Sequence, residues 1–490
     1  MTEDSDLAAR VDQLSGVRVL GVGDLMLDRF VYGAVDRISP EAPVPVLRID
    51  AEEAMLGGVG NVVRNLRALH ASVCLVAIVG RDEATRSIKA LLREDMEIES
   101  HLLEDDDRPT TIKTRYIAGG QQMLRADREK DHVVGGAVED EVMARALADL
   151  DQAEALVLSD YGKGVLTPRV LRRLIEAARA GGVPVLVDPK GTDYARYSGA
   201  SLVTPNRREL MEATGLPTTT DGEVVTAAAA LIDRAGVDAV LVTRSQDGMT
   251  LVRRGAEANP LHLPATAREV YDVSGAGDTV VATVAAALAA GIDLEDGCRL
   301  ANAAAGIVVG KIGTATASAA ELMAALRARD METGEAKTVP LDTALEYVAA
   351  WKNKGLTVGF TNGCFDLLHP GHVSLLQQAK AQCDRLVVGL NADMSVRRLK
   401  GEGRPIQNDT ARALVLGSLA AVDLVVVFGD DTPLTLIETL RPDILVKGAD
   451  YTIDAVVGAD MVRAYGGRVF LAELEAGHST SATIARLAGK

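Results

Sequence analysis

Short apolar runs recur along the first two thirds of the chain, and each stops at glycine or polar residues. Val17–Val22 precedes Gly23-Asp24, Val73–Val79 precedes Gly80-Arg81-Asp82, and Ala155–Leu158 precedes Ser159-Asp160. Val183–Val187 leads into Asp188-Pro189-Lys190, Leu202-Val203 into Thr204-Pro205-Asn206, and Ala239–Thr243 closes the series. Stretches of helical period, such as Arg169–Ala180 and Glu223–Ala235, separate most of them. Buried strands alternating with amphipathic helices predict a mostly parallel sheet covered on both faces. In such sheets ligands bind beyond the carboxyl ends of the strands, where the polar residues cluster here.

Two segments break the rhythm. Arg29–Ile49 holds Ser39-Pro40-Glu41-Ala42-Pro43-Val44-Pro45, and Thr110–Arg125 alternates in strand fashion. Both predict extended chain outside the main sheet, a small lid. After Gly313 come a helix, Ser318–Arg329, and a polar stretch, Asp330–Pro340. A second α/β alternation begins at Leu356 and runs through Arg385–Leu390, Leu424–Phe428, Ile444–Val446 and Arg468–Leu471. The expected organisation is therefore a first domain over 1–328, a linker over 329–345 and a second domain over 346–490.

Composition narrows the function classes. Of 490 residues, 48% are hydrophobic and 25% charged, a globular balance with aliphatic cores, since aromatics reach only 3%. The net charge of −17 argues against general binding to nucleic acid or anionic membranes, which takes a basic face. Cys74, Cys298, Cys364 and Cys383 form no CxxC pair or short metal spacing, so a reducing, cytoplasmic setting is expected. The acidic first residues have no apolar core, so no signal peptide is expected. The run Val280–Ala290 is too short to span a bilayer and is read as a buried helix.

One chemical constellation lies at Asp272-Val-Ser-Gly-Ala-Gly-Asp278, before that helix. Gly275 and Gly277 allow a tight turn that brings bare N–H groups to a helix N-terminus, an anion hole for a transferring phosphoryl group. Asp278 is placed to take a proton from an alcohol, a poor nucleophile at neutral pH. A glycine-rich turn capping an Ala-rich helix is the alternative. Asp24 and Asp28 are candidate acceptors for sugar hydroxyls, against plain strand-end acids. Lys113, Arg115, Arg125 and Lys190 are candidates for holding a phosphate already on the substrate, against a solvated charged lid.

This unit resembles the ribokinase-like (PfkB) sugar kinases. Gly57-Gly58 with Asn61 resembles the family's sugar-binding Gly-Gly motif. Asn206-Arg207-Arg208-Glu209 matches its Asn-x-x-Glu element, which implies a place near the ATP phosphates, with Glu209 close to Mg2+. Thr243–Gly248 resembles its nucleotide loop, with Ser245 where many members carry Gly, and Asn302 lies where the family contacts adenine. The resemblance implies ATP as co-substrate and Mg2+, and the extended segments suggest a homodimer through the lid strands.

A second constellation is Thr361-Asn362-Gly363-Cys-Phe-Asp366-Leu-Leu-His369-Pro-Gly-His372, a strand end and loop running into a helix. Two imidazoles at a helix N-terminus can donate to phosphates as a pentavalent transition state gains charge. Zinc is the metal alternative, but no third ligand stands at the usual spacing. The segment resembles the cytidylyltransferase-like superfamily, whose His-x-Gly-His motif activates an NTP α-phosphate. Arg404-Pro405 with Arg412, the phosphate-facing Lys447, and Ser479-Thr480 opening the final helix match that family in order. Asp366 and Asp393 are candidates for substrate hydroxyls or a metal.

Taken together, the two units resemble a family of bifunctional enzymes acting in ADP-heptose synthesis. That implies ATP-dependent phosphorylation of heptose 7-phosphate at O1 and, after a phosphatase acts, adenylylation of heptose 1-phosphate, feeding the lipopolysaccharide core. Sugar phosphates and ATP are then the partners. A kinase–transferase for another sugar, and an inactive kinase supporting an active transferase, are the rival readings.

Overall fold

The computed structural model describes residues 3–94, 98–266, 271–311, 313–330, 337–401, 403–449 and 451–473. The chain divides into two compact units, one of residues 7–325 and one of residues 1–6 with 326–490.

The larger unit is built on a nine-stranded sheet. From one edge to the other its strands are Leu261–Leu263, Met249–Arg253, Ala239–Thr243, Leu202–Val203, Val185–Asp188, Ala155–Ser159, Arg18–Gly23, Ser72–Val79 and Ile98–Glu104. The first two pairings, on either side of Met249–Arg253, are antiparallel and the others are parallel, as the alternation of apolar runs and helices predicts. Central strands such as Ala155–Ser159 are buried throughout, which explains their unbroken aliphatic character. Chain order reverses between Arg18–Gly23 and Ala155–Ser159, so a crevice opens beyond their carboxyl ends. The run read as a buried helix is Ala276–Ala289, inside from Asp278 to Ala287, and no described helix is long and apolar enough to cross a membrane.

The two irregular segments pair as a separate four-stranded sheet in the order Pro45–Gly58, Leu25–Ile38, Thr111–Ala118, Gln121–Arg128. It is longer than expected. Leu25–Ile38 leaves the main sheet almost directly after Asp24, and its first residues, Leu25–Asp28, are buried. The lid is thus rooted in the crevice at Asp28 and becomes solvent-facing toward Ile38.

The smaller unit holds a five-stranded parallel sheet in the order Leu424–Phe428, Arg385–Asn391, Val358–Gly363, Ile444–Gly448, Arg468–Ala472. In sequence terms that is 3-2-1-4-5, with the reversal between Val358–Gly363 and Ile444–Gly448. The expected linker contains the end of the helix Ala319–Asp330, a bridge from Thr338 to Val425, and the start of the helix Leu341–Asn353. Its last residues therefore extend the sheet edge, through Val339 N–H donating to Val425 O.

Gly23 shows how tightly the crevice is framed. A Cβ there would lie 2.1 Å from the Ser159 carbonyl oxygen, a backbone atom that cannot swing away. Gly23→Ala is expected to destabilise the larger unit by about 3 kcal/mol, a severe overpacking cost, read as a lowered midpoint in urea unfolding with unchanged slope.

Candidate active sites

At the reversal point of the larger unit, Asp24 is buried and accepts backbone N–H bonds from Tyr161 (2.9 Å), Lys163 (2.8 Å) and Val165 (3.3 Å). Burial raises its carboxyl above the usual range, with these amides opposing the shift. Both oxygens are committed to the loop after Ala155–Ser159. Asp24 is thus a clamp on that loop, at the crevice where it was expected to accept from a sugar hydroxyl.

The clamp brings Tyr161 to Asp278. The Tyr161 hydroxyl donates to Asp278 Oδ1 at 2.9 Å, and Asn61 Nδ2 donates to Oδ2 at 2.8 Å. Asp278 is buried at the third position of Ala276–Ala289. Burial pushes its carboxyl up to about 6; the Asn61 and Tyr161 hydrogen bonds hold it down, and Asp28 raises it further. A base of that strength is suited to neutral pH. Asn61 is anchored in turn through Asn65, whose Nδ2 donates to Asn61 O while its Oδ1 accepts from Thr279.

The two glycines have different reasons. Gly275 is the left-handed N-cap, at φ +79°, and a Cβ there would lie 2.5 Å from Asn61 Nδ2. A Cβ on Gly277 would meet nothing within 4 Å. The space over Gly277 opens on the first-turn amides, which no helical carbonyl satisfies.

Asp28 pairs with Arg115 at 2.5 Å, and a Cβ on Gly57 would lie 2.2 Å from Asp28 Oδ2. Gly58, at φ +60°, carries the chain from the lid into the helix Val59–Ala68. Lys113 Nζ stands 5.4 Å from the Tyr161 ring centroid, and burial lowers its ammonium below the ordinary lysine range. Asp28, Gly57, Asn61, Lys113, Arg115, Tyr161 and Asp278 thus converge. Arg125 does not join them: it is exposed and pairs with Asp127 at 3.0 Å.

On the nucleotide side, Asn206 and Glu209 form a capping box on the helix Arg207–Thr214. Glu209 Oε1 also meets Lys190 Nζ at 3.2 Å. Arg207 pairs with Asp247 and supports the turn Ser245–Asp247, whereas Arg208 faces solvent and pairs with Glu212 one turn on. Thr243 N–H donates to Pro205 O. Ser245, standing where glycine was expected, takes the left-handed φ of +54° that glycine would supply. A Cβ on Gly248 would lie 2.0 Å from Leu263 O, and Asn302 Nδ2 donates to Pro264 O at 2.9 Å. Asp188, not singled out from sequence, is held well above the carboxylate range by burial and by the Asp278 and Glu209 charges. Tyr161 was missed too: a tyrosine two residues beyond a strand carries no motif.

In the smaller unit His369 is the N-cap of the helix Pro370–Lys380, with Pro370 in the first turn. The His369 and His372 rings stack at 3.8 Å between centroids and 21° between planes. Phe365, at φ +42°, packs its ring 5.2 Å from that of His372. Burial, then the His369 and Lys400 charges, bring His372 down to about 4, so its imidazole is neutral at pH 7. The His372 ring borders a cavity of 480 Å³ lined also by Thr361, Asn362, Gly363, Lys400, Lys447 and Tyr451 among others. Lys447 Nζ donates to Asn362 O at 3.0 Å, across the point where the two central strands separate. Lys400, Asn391 and Tyr451 line the cavity without having been picked out from sequence.

Arg412, expected in contact with ligand, lies beneath the cavity floor, whereas Asp366 is among the residues that line it. Arg412 is almost wholly buried, and its guanidinium donates to Cys364 O (2.7 Å), Asn391 O (2.8 Å), Gln407 O (3.0 Å) and Asp393 Oδ1 (2.6 Å). It ties the histidine loop to the neighbouring strand. Asp366 accepts from Arg404 and from the Ile406 amide at 2.7 Å; burial raises its carboxyl, but these bonds outweigh it and hold the group below the usual range. Ser479 and Thr480 lie outside the described residues.

Comparison with known proteins settles the kinship. The pfkB family carbohydrate kinase model matches residues 18–321, and the cytidylyltransferase-like model matches residues 360–486. The chain belongs to the pfkB carbohydrate kinase family, with a cytidylyltransferase-like domain fused behind it. Bifunctional protein HldE of Paramagnetospirillum magneticum is 60% identical over 489 residues, covering 100% of both chains. The protein of the same name from Rhodospirillum rubrum is 60% identical, over 99% of this chain and 97% of its own. Among solved structures, Arabidopsis thaliana ribokinase complexed with ribose and ATP superposes at TM-score 0.52 with 22% identity, over 64% of this chain and 99% of its own. Phosphofructokinase-2 from Escherichia coli in complex with potassium gives 0.52 and 21%, over 64% and 98%. Those two establish the fold of the larger unit. The chain is a carbohydrate kinase and a nucleotidyltransferase in one polypeptide.

Two tests follow from this geometry. Kinase kcat/KM should fall with decreasing pH below about 6, as Asp278 becomes protonated. Tyr161→Phe removes a hydrogen bond that favours the ionised form, so that acid limb should move to higher pH. In the smaller unit, His372 folds at about 4 but unfolds toward its ordinary 6.5. The unfolded chain binds that proton first, so its contribution to stability is lost as pH falls through 6.5 toward 4. His372→Gln should flatten that part of the stability–pH curve, measured by urea unfolding of the transferase signal.

Proposed function

We propose that the larger unit transfers the γ-phosphoryl of ATP to the O1 hydroxyl of heptose 7-phosphate, and that the smaller unit transfers AMP from ATP to heptose 1-phosphate, giving ADP-heptose and pyrophosphate. The observation that carries this reading is the contrast between the two sites. The first has a buried carboxylate with a pKa of about 6 at a helix N-terminus. The second has two stacked imidazoles, one of them on a cavity that two lysines also line. A neutral hydroxyl needs a base to become a nucleophile, whereas a sugar phosphate is already anionic and needs alignment and charge neutralisation. Full-length similarity to the HldE proteins supports the same pairing.

In the first reaction Asp278 takes the O1 proton while the first-turn amides around Gly277 receive the transferring phosphoryl oxygens. Lys113 and Arg115 hold the 7-phosphate, with Asp28 positioning Arg115. Glu209 and Asp188 are the carboxylates that would hold the Mg2+ carried by ATP, which would supply neutralisation of phosphate charge. In the second reaction His369, His372 and Lys447 stabilise the charge growing on the α-phosphate. Arg412 and Asp366 act by positioning the loops around them. A cytoplasmic setting, where ATP is available, and a homodimer through the lid strands belong to the same reading.

Mass spectrometry of products formed from ATP, magnesium and heptose 7-phosphate should show the 1,7-bisphosphate; with heptose 1-phosphate it should show ADP-heptose. Turnover of hexoses or pentoses with none of heptose 7-phosphate would sink the assignment. Asp278→Asn should lower kinase turnover by about two to four orders of magnitude. Gly277→Ala should leave stability unchanged or raise it by up to about 1 kcal/mol, yet abolish most kinase turnover, because its Cβ fills the anion's approach. His369→Ala should reduce pyrophosphate release by about 10²–10³-fold with kinase turnover intact.

A further inference from the structure

Three residues with metal-ligating side chains meet in the larger unit, away from Asp278. Cys74 lies on the strand Ser72–Val79, His101 on the edge strand Ile98–Glu104, and Asp149 near the end of the helix Gly136–Leu150. Their ligand atoms all lie within 4.8 Å of one another, the one such group of three among the described residues. Cys74 Sγ is 3.2 Å from Asp149 Oδ2, and His101 Nε2 is 3.3 Å from the same oxygen. Leu20 pairs with Cys74, so the group sits about four residues, roughly 13 Å along the strand, before the crevice at Asp24.

We propose that Cys74, His101 and Asp149 form a binding site for a divalent transition metal of the zinc class. In a tetrahedral zinc site, sulfur lies about 2.3 Å and nitrogen or oxygen about 2.0–2.2 Å from the metal, so neighbouring ligands stand roughly 3.3–3.8 Å apart. Two of the three pairs are already at or just inside that spacing, and the third, within 4.8 Å, needs at most a shift of about an ångström. The donor set is one sulfur, one imidazole and one carboxylate, the mixture that zinc accepts and magnesium does not. Glu99 stands within reach as a fourth ligand, its Oε1 3.9 Å from His101 Nε2. Its present partner is Arg18 at 3.0 Å. His101 and Asp149 are partly open to solvent, at 26% and 15% side-chain exposure, which supplies an entry path.

Binding would form a metal–sulfur bond and release the thiol proton to solvent. Burial first, and then the hydrogen bond and charge of Asp149, push the Cys74 thiol well above its usual range, so affinity should rise with pH. The bound ion would staple the edge strand and a covering helix to the sheet, far in sequence from one another. A hydrogen-bonded trio that never meets a metal is the competing account.

The test uses the full chain, treated with a chelator and titrated with Co2+ in the absence of nucleotide. The expected result is one equivalent of Co2+ bound with a thiolate-to-cobalt charge-transfer band, displaced by Zn2+. Zn2+ should also raise the thermal midpoint of the kinase unit. Cys74→Ser should lose the band, and His101→Gln should weaken binding at least tenfold. Because Cys74 is buried and its replacement can disturb folding, His101→Gln is the deciding variant, with retained kinase turnover showing that it is folded. The proposal is overturned if micromolar Co2+ gives no band, if the band persists in folded Cys74→Ser and disappears in Cys364→Ser, or if His101→Gln binds as tightly as the parent.

Discussion

Asp24 brings a carboxylate into the interior of the larger unit, where it must be satisfied within the protein. A buried carboxylate without donors costs several kcal/mol, and three consecutive-loop amides meet that demand. The bonds set the path of the loop after Ser159, and that path places the Tyr161 hydroxyl on Asp278. The close approach of Gly23 to Ser159 permits the arrangement from one side. The left-handed Gly275, pressed against Asn61, completes it from the other. The Asp278 carboxylate is therefore held by two hydrogen bonds whose donors are themselves fixed, which fixes its orientation.

The smaller unit solves an equivalent problem with a buried cation. Arg412 donates four hydrogen bonds to groups on the histidine loop, the next strand end and the loop after it. Asp366 does the complementary work for the Arg404–Gln407 segment. Above them the environment is arranged to receive negative charge. His372 is kept neutral by burial first, and then by the His369 and Lys400 charges. The two units thus share a topological rule, a crevice where strand order reverses, and apply it to opposite electrostatic needs.

Much of this was legible in the chain. Strands were readable because each is a short aliphatic run bounded by polar residues, and the lid was readable because its alternation and prolines fit no parallel sheet. Asp278 and the two histidines stood in motifs where glycines, proline and helix starts fall at mechanistically required offsets. Asn206-x-x-Glu209 was readable too, although its first physical role is a capping box. Arg412, which sequence reasoning placed against the ligand, carries the right charge beside the right motif and yet is buried behind the histidine loop. Charge alone does not say whether a group faces the cavity or lies under its floor.

By itself the sequence determined two α/β units in series, their order, and the two reaction classes, because period, turn residues and local motifs are properties of neighbouring residues. Only the tertiary structure decided which polar side chains meet substrate and which hold loops. It also decided that Tyr161 meets Asp278 and that Cys74, His101 and Asp149 come together. Those outcomes depend on contacts between segments 27 to 217 residues apart, such as Asn61 with Asp278 and His101 with Cys74, and on burial, which a linear chain does not display.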